Sequence, residues 1–124
     1  MHRANAIAAA TAAIILALAI AAPAYAGYGA IAYDEYSSKQ GASWNQPNPG
    51  RANELALKEC ASAKCMVHPI EPHECGALAT SDQDKAWGGA DRLTLDEAKR
   101  DAVVRCQTHT STGQCTARLS GCNK

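Results

Sequence analysis

The sequence predicts an α+β fold: two pseudo-symmetric β-(β)-α-β repeats, sharing one antiparallel or mixed sheet with both helices on one side, and stapled by disulfides. Three observations predict it. Gly29-Ala30-Ile31-Ala32 recurs as Gly76-Ala77-Leu78-Ala79 at a shift of 47, and Gly41 meets Gly88 at the same shift. Helix-start residues stand at matching positions, Asn48 and Thr94, and the spacing Ala52, Ala56, Cys60 is repeated as Ala98, Ala102, Cys106. Finally, the chain has six cysteines, an even number, all of them behind an export-type N-terminus. Two separate sheet layers are the alternative arrangement that these observations leave open.

The first segment, MHRANAIAAATAAIILALAIAAPAYA, has one arginine, no acid, an apolar run from Ala6 to Ala22 and the small-x-small triplet Ala24-Tyr25-Ala26. That pattern is a secretory signal cleaved after Ala26. The competing reading is an uncleaved anchor, since the run approaches the ~17 residues that can just cross a bilayer. The alanine-rich run and the cleavage triplet favour removal of residues 1–26 and a secreted protein. What remains, 27–124, is expected to be a single domain of two repeats, about 28–74 and 75–122.

Each repeat opens on an alternating apolar segment, Tyr28 to Tyr33 and Cys75 to Thr80, which reads as a strand. A second strand is expected through Ser43 and Trp44, or through Ala86 and Trp87. The helices follow. Thr94-Leu95-Asp96-Glu97 is a capping box, in which the Thr94 hydroxyl accepts from the Glu97 amide and the glutamate reaches back. At the matching position Asn48 is a good N-cap, and Pro49 takes the first helical position, where no amide donor is missed. The apolar residues Ala52, Ala56, Leu57 and Cys60, matched by Ala98, Ala102, Val103 and Cys106, fall on one arc at 100° per residue. Mostly small, they let each helix lie close to a sheet. Cys65 to Pro69 and Gln114 to Leu119 then alternate as closing strands.

Six cysteines allow fifteen pairings. Exchanging Cys60 with Cys106, Cys65 with Cys115 and Cys75 with Cys122 must leave a repeat-respecting pairing unchanged, and seven pairings survive that condition. Within those seven, Cys60 ends a helix and Cys65 begins the next strand four residues on, a geometry that brings Cα atoms to the roughly 5.5–6 Å a disulfide needs. Cys106 and Cys115 do the same across eight residues. The expected bonds are Cys60 with Cys65, Cys106 with Cys115, and Cys75 with Cys122.

Taken together, Tyr28-Gly-Ala-Ile-Ala-Tyr-Asp34, Ala56-Leu-Lys-Glu-Cys60, Cys65-Met-Val67, Cys75-Gly-Ala-Leu-Ala79, Ala102-Val-Val-Arg-Cys106 and the closing Cys115 and Cys122 resemble the bacterial family called domain of unknown function 4189. The resemblance runs from about Tyr28 to Cys122. It implies a small exported bacterial protein, in some members from intracellular pathogens, and supplies no catalytic residues. The Gln107 to Gly113 connection is longer than is usual for the second repeat.

One stretch concentrates ligand chemistry: Cys65 to Cys75 reads CMVHPIEPHEC, with His68, Glu71, His73 and Glu74 between the cysteines. Zinc would want four such groups converging. Against zinc, the matching CTARLSGC keeps both cysteines without a histidine or glutamate, and Pro69 and Pro72 suggest a connector of fixed φ. No metal or cofactor is therefore expected. Asp34 and Glu35 form a potential carboxylate pair, but neighbours on a strand point to opposite faces, so they are expected to end a strand at the surface. His109 follows a helix end, where a protonated imidazole is favoured. Gly88-Gly89 lacks a phosphate-loop pattern and reads as a turn, and no G-x-S-x-G elbow is present.

Residues 27–124 carry 11 basic and 12 acidic side chains, interspersed. That balance argues against a nucleic-acid footprint or a membrane-surface patch. A membrane would be met only through an uncleaved signal segment. The expected function is therefore a non-enzymatic factor that binds a protein partner, with host molecules among the candidates. Two alternatives stand beside it: an inhibitor of an exported hydrolase, presenting a loop at Tyr36 to Asn48 or Asp82 to Leu93, and a small hydrolase with an unrecognised site. Tyr36, Trp44 and Trp87 would mark an interface if exposed together, but both tryptophans are expected in the core of a chain without phenylalanine.

Overall fold

The computed structural model describes residues 27–124, so the signal-segment expectation for 1–26 lies outside the described residues. The elements run β1 (Tyr28–Tyr33), β2 (Gln40–Gln46), α1 (Pro49–Cys60), β3 (Met66–Ile70), β4 (Cys75–Ser81), β5 (Trp87–Arg92), α2 (Leu95–Gln107) and β6 (Cys115–Cys122). The order β-β-α-β thus occurs twice. Both helices begin where the capping residues stand: Asn48 accepts from the Arg51 amide at 2.8 Å, and Thr94 accepts from the Glu97 amide at 3.3 Å. Side-chain acceptors at these positions satisfy amides that the first turn leaves without a partner.

The strands form two three-stranded antiparallel sheets, β2-β1-β3 and β5-β4-β6, instead of the one shared sheet expected, and the helices lie on opposite outer faces instead of one side. Side-chain size explains the arrangement. On β1, Ala30 and Ala32 face α1 and pack on Ala52, Ala56 and Cys60, while Ile31 and Tyr33 point the other way. On β4, Ala77 and Ala79 face Ala98, Ala102 and Cys106 of α2, and Leu78 points back toward Ile31, Tyr33 and Ile70. Small residues therefore serve the helix–sheet contacts and large ones the contact between sheets. The result is four layers, helix, sheet, sheet, helix, with each central strand buried on both faces.

Gly88 and Gly89 do not form a turn but lie inside β5. Leu57 leaves the buried arc of α1 and is 39 % exposed, because the contact is confined to the narrow stripe Ala52, Ala56, Cys60. Trp44 and Trp87 are half-buried, packed at the margin of the inter-sheet core, while Tyr36 stands 66 % exposed on the turn after β1. About half of each stretch, Tyr36 to Asn48 and Asp82 to Leu93, is strand, β2 and β5, and the rest is turn.

The sulfurs of Cys60 and Cys65, of Cys75 and Cys122, and of Cys106 and Cys115 are bonded. Two of these bonds close a helix end onto the following strand. The third joins register partners at the ends of β4 and β6.

Candidate functional site

The two sheets meet most tightly along β1 and β4 and along β2 and β6. At one end of the sandwich, Asn123 closes the joint. Its Oδ1 accepts from the Asn45 amide at 3.0 Å, and its Nδ2 donates to the carbonyls of Ile70 and Glu71 at 3.0 and 2.9 Å. A side-chain amide with donors and an acceptor can bond several backbone segments at once, so one residue links β2, the end of β3 and the C-terminus. Nothing in the sequence around Asn123 signals this role.

On the other flank, residues of the edge strands β3 and β5 line a cleft of ≈ 980 Å³. Its floor is apolar, formed by Ile31, Tyr33, Leu78 and Trp87, and Met66 stands at its margin. Alternation along the strands places these side chains: Tyr33 lies beside Met66, and Ile31 beside His68, on the face of the first sheet that looks toward the second. Tyr33 and Trp87 pack with ring centroids 5.6 Å apart. The Trp87 indole N–H donates to Glu35 Oε2 at 3.2 Å, which fixes the ring at the cleft mouth. Gly89 contributes no side chain at the centre of β5, and an added Cβ would find its nearest neighbours at 3.8 and 3.9 Å. The cleft is open partly because of that glycine.

Next to the cleft, His68 on β3 meets Asp91 on β5 with Nε2 and Oδ1 3.1 Å apart, a side-chain bridge between the two sheets. Glu74 faces the same aspartate. The neighbouring Asp91, burial and Glu71 together hold the Glu74 carboxyl above its ordinary value, and its Oε2 is buried without a partner among the described residues. For Asp91 itself, partial burial opposes ionisation, but hydrogen bonding with His68 and Glu74 outweighs it, and the carboxyl lies below its ordinary value. Of the four ligand candidates in CMVHPIEPHEC, only His68 and Glu74 therefore come together, through Asp91, a residue sequence reasoning did not single out. Both cysteines of that stretch are in disulfides. Among the described residues no three His, Cys, Asp or Glu side chains converge as metal ligands. Within the stretch, Met66 to Ile70 form β3, in line with the closing strand expected over Cys65 to Pro69, so the connector is confined to the residues between Ile70 and Cys75.

Asp34 does not end its strand at the surface: it is 2 % exposed. Nor is it paired with Glu35, which turns to Trp87. Its Oδ2 accepts from the hydroxyls of Ser62 at 2.5 Å and Ser37 at 2.7 Å, and its Oδ1 accepts from the Tyr36 amide at 2.9 Å. These donors, Ser62 first, hold its carboxyl far below the ordinary value. A carboxyl whose pKa is depressed by folding adds stability above its unfolded pKa of about 4 and loses that contribution as pH falls toward the folded value. Asp34→Asn should therefore lower the urea midpoint at pH 7 and flatten its decline between about pH 5 and pH 2. Urea titrations of both proteins at several pH values check this, and parallel curves would exclude Asp34 as a source of the acid sensitivity.

Solved and curated proteins place this geometry in a wider group. The chain is similar to the NMR structure of Rv1813c from Mycobacterium tuberculosis, with a TM-score of 0.61 and 31 % identity over 84 % of this chain and 81 % of that one. In sequence it is 38 % identical over 80 residues to the uncharacterized protein Rv1813c of Mycobacterium tuberculosis, covering 64 % of this chain and 53 % of that protein. It is 37 % identical over 78 residues to Rv1269c of the same organism, covering 63 % of this chain and 60 % of that protein. The matched segments thus span only about half to three-fifths of these curated relatives. The family model described as a domain of unknown function, DUF4189, matches residues 28–122, and to that family the chain belongs.

Proposed function

We propose that this chain is an exported, non-enzymatic binding module that docks a protein partner in the cleft between β3 and β5. The observation that carries this reading is the cleft itself: an apolar, aromatic-lined floor between two strand edges, the kind of surface that buries a partner's side chains. Export is supported by the three disulfides, which small domains use in oxidising compartments. A binding role fits the way the polar groups around the mouth are occupied. Glu35 holds Trp87, Asp84 accepts from Thr110 and the Ala86 amide, and Lys85 donates to the Tyr36 carbonyl. These bonds fix the side chains as the wall of the cleft.

Gly89→Leu fills the cleft where space exists and tests the reading. Tagged wild-type and G89L proteins, each incubated with culture medium and with host-cell lysate, are compared by mass spectrometry of what co-purifies. The expected result is a stoichiometric partner retained by the wild type and lost by the variant. A partner that both proteins retain equally would move the binding surface elsewhere, and a partner that proves to be a hydrolase would favour the inhibitor alternative.

A further inference from the structure

We propose that Cys122 is a site of thiol–disulfide exchange, at which an external dithiol opens the Cys75–Cys122 bond and releases the C-terminal latch between the two sheets while the other two disulfides hold. None of the residues involved lines the cleft, so the site does not depend on docking there. Access distinguishes the three bonds. Among the described residues Cys122 is the one exposed cysteine; Cys60, Cys75 and Cys106 are buried, and Cys65 and Cys115 are half-buried. The bonds at Cys60 and Cys106 are also packed into the contacts between helix and sheet, where Cys65 and Cys115 lie against the same clusters. A thiolate must reach the sulfur it attacks, so exchange begins at Cys122.

The step balances without any further reactant. The attacking thiolate forms a bond to Cys122 Sγ, and the electron pair of the Cys75–Cys122 bond leaves on Cys75 Sγ, which takes up a proton. The second thiol of the reagent then bonds to the first, and Cys122 leaves as a thiolate and is protonated in turn. The protein gains two electrons and two protons, and the dithiol departs as a disulfide. An exported protein meets reductants of that class when it passes from an oxidising compartment into a reducing one.

The consequence follows from what stands on either side of Cys122. After it, the Asn123 amide donates to the Glu74 carbonyl at 2.9 Å, and the Asn123 side chain ties the Asn45 amide to the carbonyls of Ile70 and Glu71. The Lys124 amide donates to Asn45 Oδ1 at 2.6 Å, and the Lys124 carbonyl accepts from the Gly27 amide at 3.5 Å. Before it, the indole of Trp44 on β2 packs on Gly121 of β6, where an added Cβ would lie 2.7 Å from its Cζ2 and Nε1. The bond therefore anchors the short segment that joins β2 and β3 of one sheet to β4 and β6 of the other. A chain end held only by hydrogen bonds opens far more readily than one fixed by a covalent tie. Once the bond is reduced, the latch swings free and Trp44 is uncovered. Cys60–Cys65 and Cys106–Cys115 still close each helix onto its following strand.

The oxidised protein is incubated with graded dithiothreitol under mildly alkaline conditions, quenched at intervals with iodoacetamide and mapped by peptide mass spectrometry. Cys75 and Cys122 should be alkylated about tenfold faster than the other four cysteines. Glutathione in place of dithiothreitol should be trapped as a mixed disulfide on Cys122 and not on Cys75. In the species reduced at this bond alone, the helical circular dichroism should persist while the amides of Asn45, Asn123 and Lys124 shift. Tryptophan emission should move to longer wavelength, a change that Trp44→Phe removes. Alkylation of all six cysteines at one rate, earlier loss of either helix-end bond or glutathione on Cys75 would overturn the exchange site. Loss of the helical signal on opening this bond, or an unmoved Asn45 amide, would overturn the latch.

Discussion

Replacing Cys75 and Cys122 together by alanine should destabilise the domain by about 4 kcal/mol, roughly twice the loss from the paired change at Cys60 and Cys65. The difference follows from the length of chain each bond closes. Cys75 and Cys122 are 47 residues apart, Cys106 and Cys115 are 9 apart, and Cys60 and Cys65 are 5 apart. Restricting the unfolded chain scales with the logarithm of the closed loop, which gives about 4, 2.5 and 2 kcal/mol in that order. Against a typical total of about 5–15 kcal/mol, the first loss is a large share of stability and lowers the melting temperature by ~20 °C. The folded state adds to the ranking, because the Cys75–Cys122 bond holds the end of β6 on β4, immediately before Asn123. Urea unfolding of the oxidised proteins, followed by circular dichroism, measures all three pairs. Equal losses would show that loop length does not set the contribution of these bonds. Peptide mapping without reduction confirms beforehand which sulfurs are joined.

The sequence displays the elements better than their assembly. Asn48, Pro49 and Thr94 mark helix starts through local chemistry, since a cap needs only its own turn, and both helices begin there. The strands at Tyr28 and Cys75 are equally local. Their partition into two sheets depends on what covers each face, and alternation alone does not name the cover. The signal was nonetheless present: in Gly29-Ala30-Ile31-Ala32 one face carries alanines and the other a large residue, so both faces are apolar and the strand must lie in an inner layer. Long-range effects were not legible. Asp34 is held by Ser62, brought to it from beyond the end of α1, and the cleft is lined by residues that come from β1, β3, β4, β5 and the end of α2. Neither event leaves a trace in the neighbouring residues.

Gly88 and Gly89 make the same point by experiment, because adjacent glycines should respond in opposite ways to alanine. Gly88 faces α2. A Cβ built there would lie 2.5 Å from the Ala102 carbonyl oxygen and 2.8 Å from Arg105 Cβ, and closer still to the Cys106 amide nitrogen. Helix backbone does not yield as the tip of a side chain does, so α2 must move away from the sheet and open its contacts with Ala77, Ala79 and Ala90. Gly88→Ala should cost about 3 kcal/mol. Gly41, under α1, is placed alike: its Cβ would come within 2.5 Å of the Cys60 amide nitrogen and 2.8 Å of Glu59 Cβ, and G41A should cost a similar amount. Gly89 lies on the opposite face, over the cleft, where among the described residues an added Cβ would meet no atom outside its chain neighbours nearer than 3.8 Å, and its φ is not positive. There alanine fits, reduces the freedom of the unfolded chain and should stabilise by about 0.5 kcal/mol. Denaturation of the three single variants distinguishes a close helix approach from a general need for glycine. If G88A and G89A were equally destabilising, the contact between helix and strand would not be what requires glycine at Gly88. If G41A and G88A alone are damaged, the two matching glycines are what let each alanine-lined helix sit so near its sheet.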